Sequence, residues 1–340
     1  TITKRKNMNN FKKIGMTALA ASLVSTSVFA GELAVTGSAS LNSSGHSGSG
    51  MDSGTAFSMG NQITFSGSGE LDNGLNVAVS FTIDEFDGAN VSSVANTGSV
   101  FDAHSVTISS DAIGTFKFSG EGGASAASSI DTSAAGDIWD NFDGKAGITG
   151  GNTGIAITDS AAGNNSLFYT LPTLVDGLAV NASYQPQITN GTESEIGYGV
   201  SYTGVDGLAV HYATTDVNGA TVALSGDQTV MKATYAYGPV TVGYSQSEME
   251  LGTTADATDL ELTSYAISYT VSEAISVTYG TEEIDKGDVT VDAEYEILKG
   301  SYTSGGMTIS ASMADGSNIG GTVAADEDME FWSLGLSFAF

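Results

Sequence analysis

The chain ends Phe331-Trp332-Ser333-Leu334-Gly335-Leu336-Ser337-Phe338-Ala339-Phe340. Trp332, Leu334, Leu336, Phe338 and Phe340 fall on one side of an extended strand, and Ser333, Gly335, Ser337 and Ala339 on the other. Period-two alternation marks a strand, because successive side chains leave opposite faces, and it excludes an amphipathic helix. A face this apolar, ending on aromatic rings, needs an apolar environment. The edge of a soluble β-sandwich would supply one. The rest of the chain decides against that reading.

Upstream the same grammar repeats. Leu33, Val35, Gly37, Ala39 and Leu41 alternate with small polar residues. The runs around Ile63–Phe65 and Leu75–Ile83 flank Asp72-Asn73-Gly74, and Asn-Gly between alternating runs is a strong hairpin signal. Further hairpins are predicted over 104–119, 167–184, 196–214, 229–245, 262–281 and 294–313, with Gly177, Gly207, Gly238 and Gly305 in short turns. Those turns recur roughly every thirty residues, a period that calls for a repetitive architecture. Longer acidic segments, such as Gln246–Asp259 and Ala314–Asp328, read as the loops between hairpins. One initial strand, seven hairpins and a final strand give sixteen, within a range of about 14 to 18 set by uncertain boundaries.

A soluble barrel points its apolar residues inward and a membrane barrel points them outward, and the two patterns are identical in one dimension. Size separates them. About sixteen strands closed into one sheet enclose a lumen too wide for side chains to fill. The polar set is mostly Ser, Thr, Gly, Ala and Asn, with Asp84, Glu282 and Lys232 added, and it suits the wall of a water-filled channel. The other set suits a lipid-facing band, with Tyr169, Tyr184, Tyr202, Tyr212, Tyr237, Tyr244, Tyr269 and Tyr279 near strand ends as girdles. The fold expected is all-β: one transmembrane antiparallel up-and-down barrel over residues 31–340.

Composition agrees. The 340 residues carry a net charge of −29, no Cys, 44 Gly and 3 Pro. No apolar run reaches the length of a spanning helix, about 20 residues. Without Cys, redox compartment is unreadable. Acidity of this degree argues against nucleic acid as a partner and suits a calcium binder or a cation-favouring channel. Residues 1–30 read as an upstream extension plus a secretory signal: Lys12 and Lys13, a small apolar stretch Ile14–Val24, and the cleavage site Val28-Phe29-Ala30, with Met8 the expected start. Five of the ten basic residues precede residue 31, so the exported chain keeps five lysines against 39 acids, a net −34 with no arginine.

The signal peptide, the Asp/Asn-Gly turns, the loop spacing and the terminal Leu-Ser-Phe-Ala-Phe together resemble the general bacterial outer-membrane porins, and among them the acidic, glycine-rich sixteen-stranded type of alphaproteobacteria. The resemblance spans the exported chain and rests on pattern. It implies a homotrimer embedded in outer-membrane lipid, passive diffusion of small hydrophilic solutes and ions, and a terminal aromatic pair, Phe338 and Phe340, read by the barrel-assembly machinery. It also implies that the long insertion after the fifth strand, about 121–165, folds into the lumen as a constriction. The acidic cluster Asp131, Asp137, Asp140 and Asp143 would then line the narrowest point, although a solvated external loop is the alternative for such a charge run. Lys117, between Phe116 and Phe118, and Lys232, between Met231 and Ala233, point inward by strand parity and are the candidates for a basic wall. The arginine cluster of the family is missing, which points to a net negative, cation-preferring pore.

No catalytic set emerges, and no enzyme is expected. His46, His104 and His211 are scattered, there is no G-x-S-x-G, zinc lacks paired ligands, and Gly120–Gly123 lacks the Lys-Ser/Thr of a phosphate loop. No cofactor is expected. Calcium is the one metal with support, from Asp326, Glu327 and Asp328 and the loop near Asp256 and Asp259. Two other functions stay open: a substrate-specific outer-membrane channel, which needs aromatic rings along the lumen, and an exported calcium-binding or adhesive β-protein.

Overall fold

In a computed structural model, which describes residues 33–48, 53–84, 102–130, 133–142, 164–187, 193–218, 225–252, 259–287, 291–319 and 328–340, the alternating runs become sixteen strands. The first eight are β1 (Ala34–Ser47), β2 (Ser53–Glu70), β3 (Asn76–Asp84), β4 (Ala103–Ser110), β5 (Gly114–Glu121), β6 (Ser166–Thr170), β7 (Leu178–Gln185) and β8 (Glu195–Val205). The rest are β9 (Leu208–Val217), β10 (Gly226–Tyr237), β11 (Val240–Leu251), β12 (Leu260–Ser272), β13 (Ile275–Lys286), β14 (Ala293–Ser304), β15 (Met307–Ser317) and β16 (Met329–Ala339). Each strand pairs antiparallel with its chain neighbours, and β16 pairs with β1, so the sheet closes without an edge. Gly37 and Phe340 exchange backbone hydrogen bonds of 2.8 and 2.9 Å across this seam, making the terminal residue part of the closure. Closure satisfies the backbone groups that hydrocarbon cannot. The expected signal segment, residues 1–30, lies outside the described residues.

The tight turns fall where their residues demand. Gly207 joins β8 to β9 at φ 73, a left-handed conformation that costs a side-chain-bearing residue energy and glycine almost none. Gly74, Gly177, Gly238 and Gly305 occupy the same region of φ in equivalent turns. The seven turns that follow the even-numbered strands β2 to β14 lie at one end of the barrel, beside Ala34 and Phe340, and the remaining connections lie at the other.

Strand pairing carries one side of each strand around the whole ring. On the outer side, Ile63, Val106, Val200, Tyr235, Val242, Ile267, Leu298 and Leu334 are exposed. Tyr202, Tyr237, Tyr269 and Tyr302 stand outward near the short turns, at girdle positions. The inner side of β1–β5 is small and hydroxylic; Ser66, Ser68, Ser80, Ser105 and Thr107 line a cleft of about 550 Å³.

Toward the long-loop end of β10–β16 the polarity reverses. Met249, Leu260, Leu262, Ile284, Tyr295, Ile297 and Met329 are buried inside the barrel. Glu248, Glu261, Glu283, Glu294, Glu296, Asp315 and Glu330 face outward. The expectation of a uniformly polar inner face is corrected here. Gln246–Asp259 and Ala314–Asp328 are likewise loops only in part, since β11 runs on to Leu251 and β15 to Ser317.

Candidate functional site: a constricted lumen

The connection after β5 supplies the described segments 122–130 and 133–142, with short 3₁₀ turns at Ser128–Ile130 and Trp139–Phe142. It touches strands from β7 round to β16 and β1. Ala126 N donates to Ser183 Oγ on β7 (2.8 Å), and Ala127 N to Thr215 Oγ1 on β9 (3.1 Å). Farther on, His46 Nε2 on β1 donates to Asn141 O at 2.7 Å. A segment this short reaches so much of the circumference only by running inside the ring.

The tip, residues 133–139, is held by one side chain from each of five consecutive strands. Lys232 Nζ (β10) donates to Ser133 O at 3.2 Å. Ser245 Oγ (β11) accepts Ala134 N at 2.8 Å, and Ser264 Oγ (β12) accepts Ala135 N at 2.9 Å. Glu282 (β13) accepts Ile138 N at 2.6 Å, Trp139 N at 3.2 Å and the Ser133 hydroxyl. Lys299 Nζ (β14) donates to Ala135 O at 2.8 Å and to Gly136 O at 3.4 Å. Lys232, Ser245, Ser264 and Glu282 are direct cross-strand partners, so they form one circumferential row. Register, not chain proximity, assembles them.

Above this row the reversed inner face acts as a seat. Ile138 and Phe142, both 0% exposed, pack among Ile284, Tyr295, Ile297, Ile319 and Met329. This explains why apolar residues turn inward at that end: they cover the loop's own apolar residues and leave water only the polar row below. The approach is close. A Cβ on Gly280 would lie 2.5 Å from Ala135 Cβ, and one on Gly197 would lie 2.9 Å from Ala126 Cβ. Glycine at these inner positions lets the loop backbone reach the wall.

Of the acids expected at the narrow point, Asp131 and Asp143 lie outside the described residues. Asp137 lies on the tip and Asp140 in the 3₁₀ turn that follows it, and both line a lumenal cleft of about 520 Å³ with Lys299, Ser276, Ser301 and Ser312. Asp137 has φ 51, and its Oδ1 accepts Ser133 N at 3.0 Å. Lys117 sits on the inner row between Thr107 and Phe168, exposed, as parity implied. Lys232 is inward too, but it serves the loop backbone instead of standing on an open wall, because the tip crosses to its side. Phe338 and Phe340 face outward and are exposed. Asp326 and Glu327 lie outside the described residues; Asp328 Oδ1 accepts Asn318 N at 3.3 Å. Among the described residues no group of three or more acidic or His side chains is placed to hold a metal.

A closed sixteen-strand barrel with a loop folded across its bore is a channel architecture, and the family signature agrees with it: the Gram-negative porin pattern matches residues 15–297. The chain belongs to the Gram-negative porins. None of the curated proteins matches it. Among solved structures, a multiply substituted porin of Rhodopseudomonas blastica is 17% identical, with 91% of this chain and 100% of that chain covered and a TM-score of 0.65. The anion-selective porin from Comamonas acidovorans is also 17% identical, covering 91% and 99%, with a TM-score of 0.66. This porin is therefore a multi-pass β-barrel channel of the bacterial outer membrane, its short turns periplasmic and its longer loops extracellular.

Sequence reasoning overlooked Lys299, Glu282's role and the hydroxyl row of this porin. Of the two charged residues only Glu282 belongs to the set read as polar wall, and Lys299 alternates in step with Tyr295 and Ile297, which hides its direction. What parity lacked was the register that shows which of them share a level with the loop.

Proposed function

We propose that this porin passes small hydrophilic solutes and ions by passive diffusion through a water-filled bore, prefers cations, and works as a homotrimer. The observation that carries the preference is the charge pattern around the tip. Asp137 and Asp140 line the lumenal cleft, while the ammonium groups of Lys232 and Lys299 are engaged by loop carbonyls. A carboxylate-lined constriction attracts cations and repels anions. The fold does not decide the sign, since the Comamonas protein shares it and is described as anion-selective. Five lysines and no arginine from residue 31 onward favour the cationic side.

General diffusion is favoured over a substrate-specific path by the inner aromatics: Tyr295 and Phe331 are packed into the loop's seat, and Phe168 stands apart from them on β6, so these rings do not form a track along the bore. The homotrimer rests on family membership, and the outward Phe338 and Phe340 fit an assembly signal. The deciding experiment is a planar-bilayer recording across a KCl gradient. Stepwise conductance with a reversal potential on the potassium side supports the reading. A chloride-side potential removes the cation preference, and folded barrels that never conduct remove the channel. Crosslinking in detergent checks the trimer.

A further inference from the structure

We propose that Glu282 and Lys299 form a clamp that sets the width of the bore by fixing the constriction tip. They are positioning residues for permeation, and the proposal rests on the channel reading above. The two side chains come from adjacent strands and grip opposite polarities of one turn. Glu282 takes the N–H groups of Ile138 and Trp139 and the Ser133 hydroxyl; Lys299 gives its protons to the carbonyls of Ala135 and Gly136. Glu282 is only 2% exposed, so its contacts are not exchanged with water at small cost.

The rest of the attachment is of another kind. Ile138 and Phe142 anchor one end of the segment in the apolar seat, and apolar packing holds a surface without fixing its rotation about a turn. The tip itself, with Gly136 at φ 85 and Asp137 at φ 51, is an open left-handed pair that directional bonds must hold. Ser245 and Ser264 contribute neutral bonds to Ala134 and Ala135, whereas the charge-assisted bonds are those of Lys232, Glu282 and Lys299. Of these, the bonds of Glu282 and Lys299 bracket the residues that carry Asp137. Loss of either side frees Asp137 and Asp140 to move into or out of the bore.

The test separates position from charge. The chain has no Cys, so a single engineered pair can tie the tip to the wall. Ala134→Cys with Gly243→Cys is the suitable pair, because a Cβ on Gly243 would lie 3.3 Å from Ala134 Cβ. Glu282→Gln is placed in that background, and single-channel conductance and open-state noise are compared with the same background carrying Glu282. In the reduced state Glu282→Gln raises both conductance and noise. In the oxidised state the difference disappears, because the covalent tie replaces the clamp. No difference in the reduced state overturns the proposal. So does a difference that is equal in both states, which would mean that the carboxylate acts on permeating ions directly. Should Glu282→Gln fail to give folded barrels, Lys299→Met is read in the same two states with the same outcomes. Absence of conductance from the parent porin would instead sink the channel reading.

Discussion

Gly280 shows how much of this porin's lumen turns on single atoms. It faces inward on β13, two residues from Glu282, and a methyl there would come within 2.5 Å of Ala135 Cβ. The β13 backbone cannot yield without breaking ladder bonds, whereas Ala135 lies in no strand, so the tip must move. Gly280→Ala is expected to leave barrel closure intact, seen as unchanged heat-modifiable migration, and to alter single-channel conductance. Unchanged conductance would mean that the tip is not the narrow point. Ile138→Ala acts from the other side: it empties a fully buried position in the seat and weakens the loop's attachment by about 2–5 kcal/mol. Protease accessibility of the loop in folded barrels should increase while the barrel persists. These contacts were only half legible in the sequence. Alternation states that Lys232 and Glu282 look inward, but not that the tip crosses to their side, nor that Lys299 joins them; that depends on the register of strands β10–β14 and on the length of the crossing segment.

At the level of strands, outward polarity and inward polarity exchange near the extracellular ends of β10–β16. The outward acids there are direct cross-strand partners: Asp227 with Glu250, Glu248 with Glu261, Glu261 with Asp285, Glu283 with Glu294, and Glu296 with Asp315. Like charges directly opposite one another destabilise a sheet, and salt screens such exposed pairs over about 10 Å at 0.1 M. Glu261, like Asp227 and Asp315, is opposed by acids on both sides. Glu261→Gln should raise the thermal unfolding midpoint in detergent at low salt, and the gain should shrink as NaCl increases. A gain independent of salt would show that repulsion is not the cause. The same exchange explains why strand number was readable and strand length was not. The middle of each strand keeps apolar residues toward lipid, so sixteen runs stand out; the ends carry acids toward the headgroups and apolar residues toward the loop, which in one dimension looks like a polar loop.

Across the whole barrel, the lysines on the inner wall divide by what lies opposite them. Lys117 is on β5, half the sixteen-strand ring away from β13, where Glu282 holds the tip. Its neighbours on the inner face are Thr107 and Phe168, and its side chain is exposed to the lumen. Lys232 is bonded to Ser133 O, so its charge is already offset by a carbonyl and partly withdrawn from permeating ions. The two therefore act differently on current. Lys117→Glu replaces an exposed positive charge on the wall half a ring from β13 with a negative one, and the bore then carries carboxylates on both walls. The reversal potential in a KCl gradient should move further toward the potassium limit, with little change in open-state noise. Lys232→Met removes a tether more than a field, so it should broaden the open-state current while moving the reversal potential less. If Lys232→Met shifts selectivity as far as Lys117→Glu, the carbonyl does not shield that charge, and the division of the lumen into a gripping wall and a conducting wall fails.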